Sequence, residues 1–195
     1  MEKNFSPFSF YSIAFRQKYI RRWGLMRNIN NENLSEHSAE VAMITHSLAI
    51  IGNTMFGKQY DIGQAVTIAL FHDVPEVYTG DLPTPVKYFN ENMRENYKVI
   101  ENNAIAKLLN KLPEEMKPAY SEVLYPDDTE LVKLVKIADK LCAYIKCVEE
   151  EKSGNNEFVK AKESLLNILK EYESNELDYF INNFLPAFEL TLDEM

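Results

Sequence analysis

Four residues of the types that ligate metals stand at positions 37, 72, 73 and 139 of this 195-residue chain: His37, His72, Asp73 and Asp139. Each falls on, or at the end of, a stripe of apolar residues at helical spacing. His37 shares its helix face with Val41, Ile44, Leu48, Ile51 and Met55. His72 and Asp73 end the run IGQAVTIALFHD, with Ala65, Ile68 and Ala69 on the His72 face. Asp139 lies in LVKLVKIADKLCAYIKCV, with Val132 and Val135 behind it and Cys142 and Ala143 ahead. A carboxylate buried without compensation costs several kcal/mol or shifts its pKa until it is neutral. Aspartate is also a poor residue for the middle of a helix. One divalent cation would account for all four positions. Two imidazoles and two carboxylates form a mixed nitrogen and oxygen set, suited to manganese, iron, cobalt, nickel or zinc and less to calcium. Four such ligands leave two octahedral positions for water and a phosphate oxygen, the arrangement of a metal hydrolase.

Each residue also has an ordinary structural reading. A lone histidine on a core face is commonly satisfied by a backbone carbonyl, and Asp73 could cap the turn that Pro75 opens. A histidine, a His-Asp pair 35 residues on and an aspartate 66 residues after that recur by chance, so spacing alone leaves both readings standing.

The elements that must position these residues read as helices throughout. Gly (6) and Pro (8) are sparse and fall mostly between periodic segments, which predicts an all-α domain. A first helix is expected from about Ser9 to Trp23, and a second from Ser35, a good N-cap, to about Met55. Asp61, with Gln64 three residues on, opens a third, apolar on nearly all sides and therefore central. TGDLPTPVKYF reads as a loop stiffened by Pro83 and Pro85. Helices follow from about Asn90 to Leu112, then a shorter one opened by Pro113, then a long one from about Asp128 to Ser153, stopped by Gly154-Asn155-Asn156. Two segments, from Glu157 to about Ser174 and from Leu177 to Phe188, complete the bundle. No interior stretch reads as a linker, so residues 1–195 are expected to form one domain.

Composition narrows the function classes. No apolar run approaches the ~18 residues of a membrane span, and the start MEKNFSPFSFYS lacks the layout of a secretion signal, so a cytoplasmic protein without a membrane partner is expected. Cys142 and Cys147 are five apart on one predicted helix and indicate neither a disulfide nor a zinc site. The net charge of -9 argues against a nucleic acid polymer, whose affinity comes mainly from neutralised phosphates. Residues 3 to 31, however, hold Lys3, Arg16, Lys18, Arg21, Arg22 and Arg27 and no acid, a segment that could meet a small anion. As single residues these charges also fit a solvated face.

His37, His72-Asp73 and Asp139 on successive helices resemble the H...HD...D motif of HD-domain metal-dependent phosphohydrolases. The blocks RRWGLMRN, ENLSEHS, TGDLPTPVKYFN, ADKLCAYIKCVEE, GNNEF and LTLDE resemble, in order and over nearly the full length, the YfbR-type 5'-deoxynucleotidases. That resemblance implies an all-α HD-domain helical bundle, a homodimer, and hydrolysis of deoxyribonucleoside 5'-monophosphates to deoxynucleoside and phosphate in nucleotide metabolism. It also implies one divalent transition metal: cobalt or manganese first, with zinc, nickel, copper or iron as further candidates.

Carried over by position, His37, His72, Asp73 and Asp139 match the metal ligands, with His37 and Asp139 also bordering the substrate. Arg22 matches the arginine that orients the phosphate, Trp23 a tryptophan beside the sugar, and Glu76 the catalytic acid. Asp81, Leu82, Pro83 and Thr84 match the loop that contacts the nucleotide. The chemistry suits these assignments: Arg22 offers a permanently charged fork, Trp23 a flat wall against a 2'-hydroxyl, and Glu76 a carboxyl one turn beyond His72. Trp23 could instead anchor the core, and Glu76 could serve the N-terminus of a helix. The family has small residues where this chain has Val74-Pro75, and proline restrains the backbone just before Glu76. Competing functions are another HD phosphohydrolase activity (on cyclic nucleotides, dNTPs or guanosine tetraphosphate) and a non-catalytic nucleotide-binding helical protein.

Overall fold

Asn33 rather than Ser35 caps the helix that carries His37. In the computed structural model, which describes residues 8–87, 89–127 and 129–195 except for the Thr84 side chain, the Asn33 side chain accepts the N–H groups of Ser35 and Glu36. The Glu36 carboxylate accepts the Asn33 N–H at 3.0 Å, closing a reciprocal capping box. Ser35 is already inside the first turn.

The expected first helix is also shorter. It forms α1 (Phe10–Ala14) and a 3-10 turn (Phe15–Tyr19), and the chain then extends at Ile20. The Ile20 carbonyl accepts the N–H of Leu34, the Arg22 N–H reaches the Glu32 carbonyl, and Arg21 forms an antiparallel bridge with Asn33. Backbone pairing between segments 20–22 and 32–34 thus overrides the helical pattern, and it brings Arg22 and Trp23 to the start of the next helix.

Helix α2 (Leu34–Met55) packs against α3 (Ile62–Phe71) and α8 (Glu130–Lys152), which form the centre of the molecule. Their shared core holds Val41, Leu48, Ile51, Ile68, Ile137 and Leu141, all buried; each such side chain contributes about 1.5–3 kcal/mol by leaving water. Asp61 caps α3 as expected, its carboxylate accepting the Gln64 N–H at 2.9 Å. Two short helices follow, α4 (Glu76–Thr79), ended by Gly80 at φ +73°, and α5 (Thr84–Lys87). The stretch read as a loop is therefore partly helical, because Pro83 supplies the carbonyl that starts α5 and Pro85 fits its first turn. Then come α6 (Glu91–Leu109) and α7 (Lys117–Leu124), which build a second core with Phe10, Val74, Ile105, Leu108 and Leu112.

The long helix α8 starts at Glu130; the expected starting residue, Asp128, lies outside the described residues, as does Lys3 of the basic segment. It ends where predicted, with Gly154 at φ +90°. Helices α9 (Val159–Lys170) and α10 (Asn175–Asn183) close the bundle. Among the described residues the regular structure is helical, and no helix is long and apolar enough to cross a membrane.

Gly52 allows α10 and the segment before α3 to approach α2. A Cβ there would stand 2.5 Å from the Tyr60 ring and 3.0 Å from the Glu176 carboxylate, and the ring cannot swing away because its hydroxyl donates to Glu176. Gly52→Ala should therefore lower stability by about 1–3 kcal/mol, the range for overpacking, even though alanine gains ~1 kcal/mol in helix propensity. A urea titration should show a lower midpoint at unchanged slope.

Candidate metal and phosphate site

Three central helices deliver the four candidate ligands to one place. His37 lies one turn into α2, His72 and Asp73 leave the C-terminal end of α3, and Asp139 sits in the middle of α8. The ligating atoms of His37, His72 and Asp139 all lie within 4.8 Å of one another. Asp73 Oδ2 is 3.1 Å from His72 Nε2 and 3.7 Å from His37 Nε2. His37 Nε2 in turn stands 3.0 Å from Asp139 Oδ1. Asp73 does not cap α4 with its side chain; Pro75 occupies the cap position at φ -57°, ψ -26°, and the Asp73 carboxylate is left to the cluster.

The donor set fits a divalent cation on grounds beyond proximity. His72 Nδ1 donates to the Ala69 carbonyl at 2.7 Å, which fixes the ring and turns the Nε2 lone pair toward the cluster. That Nε2 is buried and has no aligned hydrogen-bond partner, a costly state for a ring nitrogen unless something else is bound there. The local field also calls for positive charge. Burial pushes the Asp73 carboxyl up, but the charge of His72, 3.1 Å away, outweighs it and holds the group at about 2. Burial likewise acts against protonation of His72, and Asp73 reverses it, raising the ring to about 9. For Asp139, burial is overcome by His37 and then by Lys140, whose Nζ lies 2.8 Å from Oδ2. The carboxylates held low here and the His72 ring held high mark a site of negative field, one that a bound cation would offset.

Arg22 and Trp23 border this cluster. Burial opposes the Arg22 charge, and Glu32, followed by Asp139, Asp73 and Asp81, more than offsets it, so its pKa stands above the ordinary value. Trp23 adopts φ +56°, left-handed backbone that costs a non-glycine residue of order 1–3 kcal/mol. Its carbonyl accepts from Met26 N and Asn28 Nδ2, its indole N–H donates to Glu32 Oε2 at 2.9 Å, and its ring packs 5.3 Å from Phe158. The strain is held by these contacts to Met26, Asn28, Glu32 and Phe158, and the indole N–H shares the Glu32 carboxylate with Arg22.

Val74 and Pro75 stand just before Glu76 in a continuous helical turn. Val74 enters the second core, Pro75 takes the helical conformation, and the Glu76 side chain is buried with Oε2 unpartnered and Oε1 3.5 Å from Lys87 Nζ. Asp81 lies within the fields of Arg22, Asp73 and Lys87; burial and Asp73 raise its carboxyl against the pull of Arg22. Leu82 and Pro83 follow, half-buried, and lead into α5. Thr84 opens that helix, and its side chain lies outside the described residues.

Sequence reasoning overlooked Glu32, Lys87 and Lys140. All three sit inside or beside the quoted blocks, but none interrupts an apolar stripe, so periodicity gives no sign of them.

Comparisons with known proteins bear on the family and the fold. A family model described as 5'-deoxynucleotidase YfbR-like matches residues 9–188. The chain is 48% identical over 190 residues to the 5'-deoxynucleotidase YfbR of Escherichia coli K12 / DH10B, covering 95% of this chain and 94% of that one. A crystal structure of an HD-domain phosphohydrolase from Listeria innocua superposes with a TM-score of 0.82 at 25% identity, over 92% of this chain and 88% of that one. The cyanophage S-2L HD phosphohydrolase DatZ, bound to dA and one catalytic Zn2+ ion, shares the fold with a TM-score of 0.67 at 22% identity, over 92% and 96% of the two chains. An HD-type helical fold and the extent of these matches lead to one assignment: the chain belongs to the 5'-deoxynucleotidase YfbR-like family.

Proposed function

We propose that residues 1–195 act as one HD-type phosphohydrolase domain, a metal-dependent phosphomonoesterase that hydrolyses deoxyribonucleoside 5'-monophosphates to deoxynucleoside and phosphate. The observation that carries this reading is the convergence of His37, His72, Asp73 and Asp139, with Arg22, Trp23 and Glu76 around them, in a chain 48% identical to a named 5'-deoxynucleotidase. His37, His72, Asp73 and Asp139 hold one divalent transition metal, with cobalt or manganese the first candidates. When bound, the cation supplies Lewis-acid charge to the phosphoryl group. Arg22 sets its planar fork against phosphate oxygens, and the Glu32 and Asp139 charges keep it oriented. Trp23 forms a wall against the sugar and crowds a 2'-hydroxyl. Glu76, protonated in its buried position, gives a proton to the departing 5'-oxygen. The Asp81 to Thr84 turn borders the nucleoside. We place the enzyme in the cytoplasm as a homodimer acting in nucleotide metabolism.

These contacts go to phosphate and sugar, so broad base tolerance is expected. Phosphate release from dAMP, dGMP, dCMP, dTMP and dUMP should exceed that from the matching ribonucleotides, and dNTPs, cyclic nucleotides and bis-p-nitrophenyl phosphate should be poor substrates. Equal rates on the ribonucleotides would refute the deoxyribose reading and the role of Trp23. Preference for triphosphates or diesters would refute the monoesterase reading.

A further inference from the structure

Glu32 is an acid to which the roles above give only the orienting of Arg22, yet it touches three of the groups that carry those roles. It is 8% exposed and lies just before α2, in the segment whose backbone pairs with residues 20–22. Its Oε2 accepts the indole N–H of Trp23 at 2.9 Å. Its Oε1 stands 3.3 Å from His37 Nδ1 and 3.6 Å from Arg22 Nε. Neither of the latter approaches is an aligned hydrogen bond, yet both nitrogens are buried and otherwise without an acceptor. Two orphaned donors therefore share one carboxylate oxygen within reach.

The position is also fixed from behind. Glu150, fully buried on α8, accepts the N–H groups of Ile29 and Asn30 at 2.9 Å, and Lys146 pairs with Glu150 at 2.6 Å, which ties the segment leading to Glu32 down to the core. A metal-ligating histidine works best when its other ring nitrogen donates to a carboxylate, because that fixes the tautomer and raises the basicity of the ligating nitrogen. Here the same carboxylate also fixes a guanidinium and an indole.

We propose that Glu32 is a positioning residue that couples metal binding to substrate selection. It holds His37 with Nε2 free for the cation, Arg22 in register for the phosphate, and Trp23 against the sugar. The inference rests on the roles given above to Arg22 and Trp23, whereas its His37 part depends only on the metal cluster.

The test is Glu32→Gln, which keeps the volume and removes the charge. Metal-free protein is titrated with Mn2+ in a calorimeter, and kcat and KM are measured separately for dAMP and AMP. The variant should bind Mn2+ about 10–100-fold more weakly, the range for loss of a carboxylate behind a ligating histidine. At saturating Mn2+ its KM for dAMP should rise and its dAMP-to-AMP ratio of kcat/KM should fall. Trp23→Phe keeps a ring but loses the N–H donor; its effect on that ratio should not add to that of Glu32→Gln, since both break the same contact. A purely structural Glu32 would lower the melting temperature and leave Mn2+ affinity and the ratio intact, and that result overturns the proposal. If Glu32→Gln does not fold, Glu32→Asp, with the charge withdrawn by one methylene, carries the same expectations at smaller size and is refuted by the same result. If the wild-type protein itself shows no deoxyribose preference, the reading of Trp23 fails instead, and the Mn2+ titration still decides whether Glu32 positions His37.

Discussion

Asp73→Asn should fold, fail to retain a divalent cation and lose nearly all phosphate release. The asparagine side chain has the shape of aspartate, so the packing between α3 and α4 is kept, and one charge leaves a site where Asp73 repels both Asp139 and Glu76. The variant loses the carboxylate that stands 3.1 and 3.7 Å from the two imidazole Nε2 atoms. A metal ion contributes several kcal/mol of transition-state charge stabilisation, and each 1.36 kcal/mol is tenfold in rate, so a loss of roughly 10³-fold or more in kcat/KM is expected. Binding also has a stability signature separate from activity. A cation at 100 times its dissociation constant stabilises the native state by ~2.7 kcal/mol, about 5–10 °C in melting temperature for a chain of this size. Mn2+ or Co2+ should raise the melting temperature of the wild-type protein and leave that of Asp73→Asn unmoved. Equal shifts in both proteins would mean that the cation binds elsewhere.

The sequence made the ligands legible because burial makes polar residues anomalous. Asp139 in the middle of α8 and His72-Asp73 at the end of an almost wholly apolar run are visible as violations of a pattern, and each violation turned out to face the same space. What pattern cannot register is pairing between irregular segments. The short antiparallel bridge between Arg21 and Asn33 ends the first helix four residues before Trp23 and moves the cap of α2 from Ser35 to Asn33. It follows from hydrogen bonds between residues that periodicity treats separately. The left-handed backbone of Trp23 was hidden because the turn signal there is its neighbour Gly24, whereas tryptophan itself rarely takes positive φ.

Glu32 and Lys87 show the second limit. An acid in a polar stretch and a lysine after two prolines look solvated in one dimension, but Glu32 is enclosed by Arg22, Trp23 and His37, and Lys87 is partly covered by Glu76 of α4 and Tyr97 of α6. Val74-Pro75 shows how local backbone accommodates a departure from the family pattern. Proline before Glu76 reads as an obstacle, but the chain needs a helical turn there in any case, and proline's φ of -57° supplies it.

Replacing Glu76 by Gln should lower kcat by roughly 10²–10⁴-fold, the usual contribution of a positioned general acid, and leave metal affinity in place because Glu76 is not among the ligands. The same variant should change the shape of the pH profile. Burial, then the nearby Asp73 charge, raises the Glu76 carboxyl to about 8, against the opposing pull of Lys87 and Arg22. At neutral pH it therefore carries the proton that the departing 5'-oxygen requires. As pH rises through the folded pKa the acid is lost, so wild-type kcat should decline along an alkaline limb near or below about 8, the lower side being favoured because a bound cation offsets the Asp73 charge. Folding follows the same sign. A carboxyl raised from its ordinary 4.5 contributes stability that is complete below 4.5 and lost as pH rises through about 8. Metal-free wild-type protein should accordingly become less stable across that interval, and Glu76→Gln should be flatter. Urea midpoints at several pH values read the stability, and steady-state rates read the limb. Near-normal turnover in Glu76→Gln, or an alkaline limb that survives the substitution, would remove Glu76 from the reaction and leave its burial beside Lys87 as a structural feature.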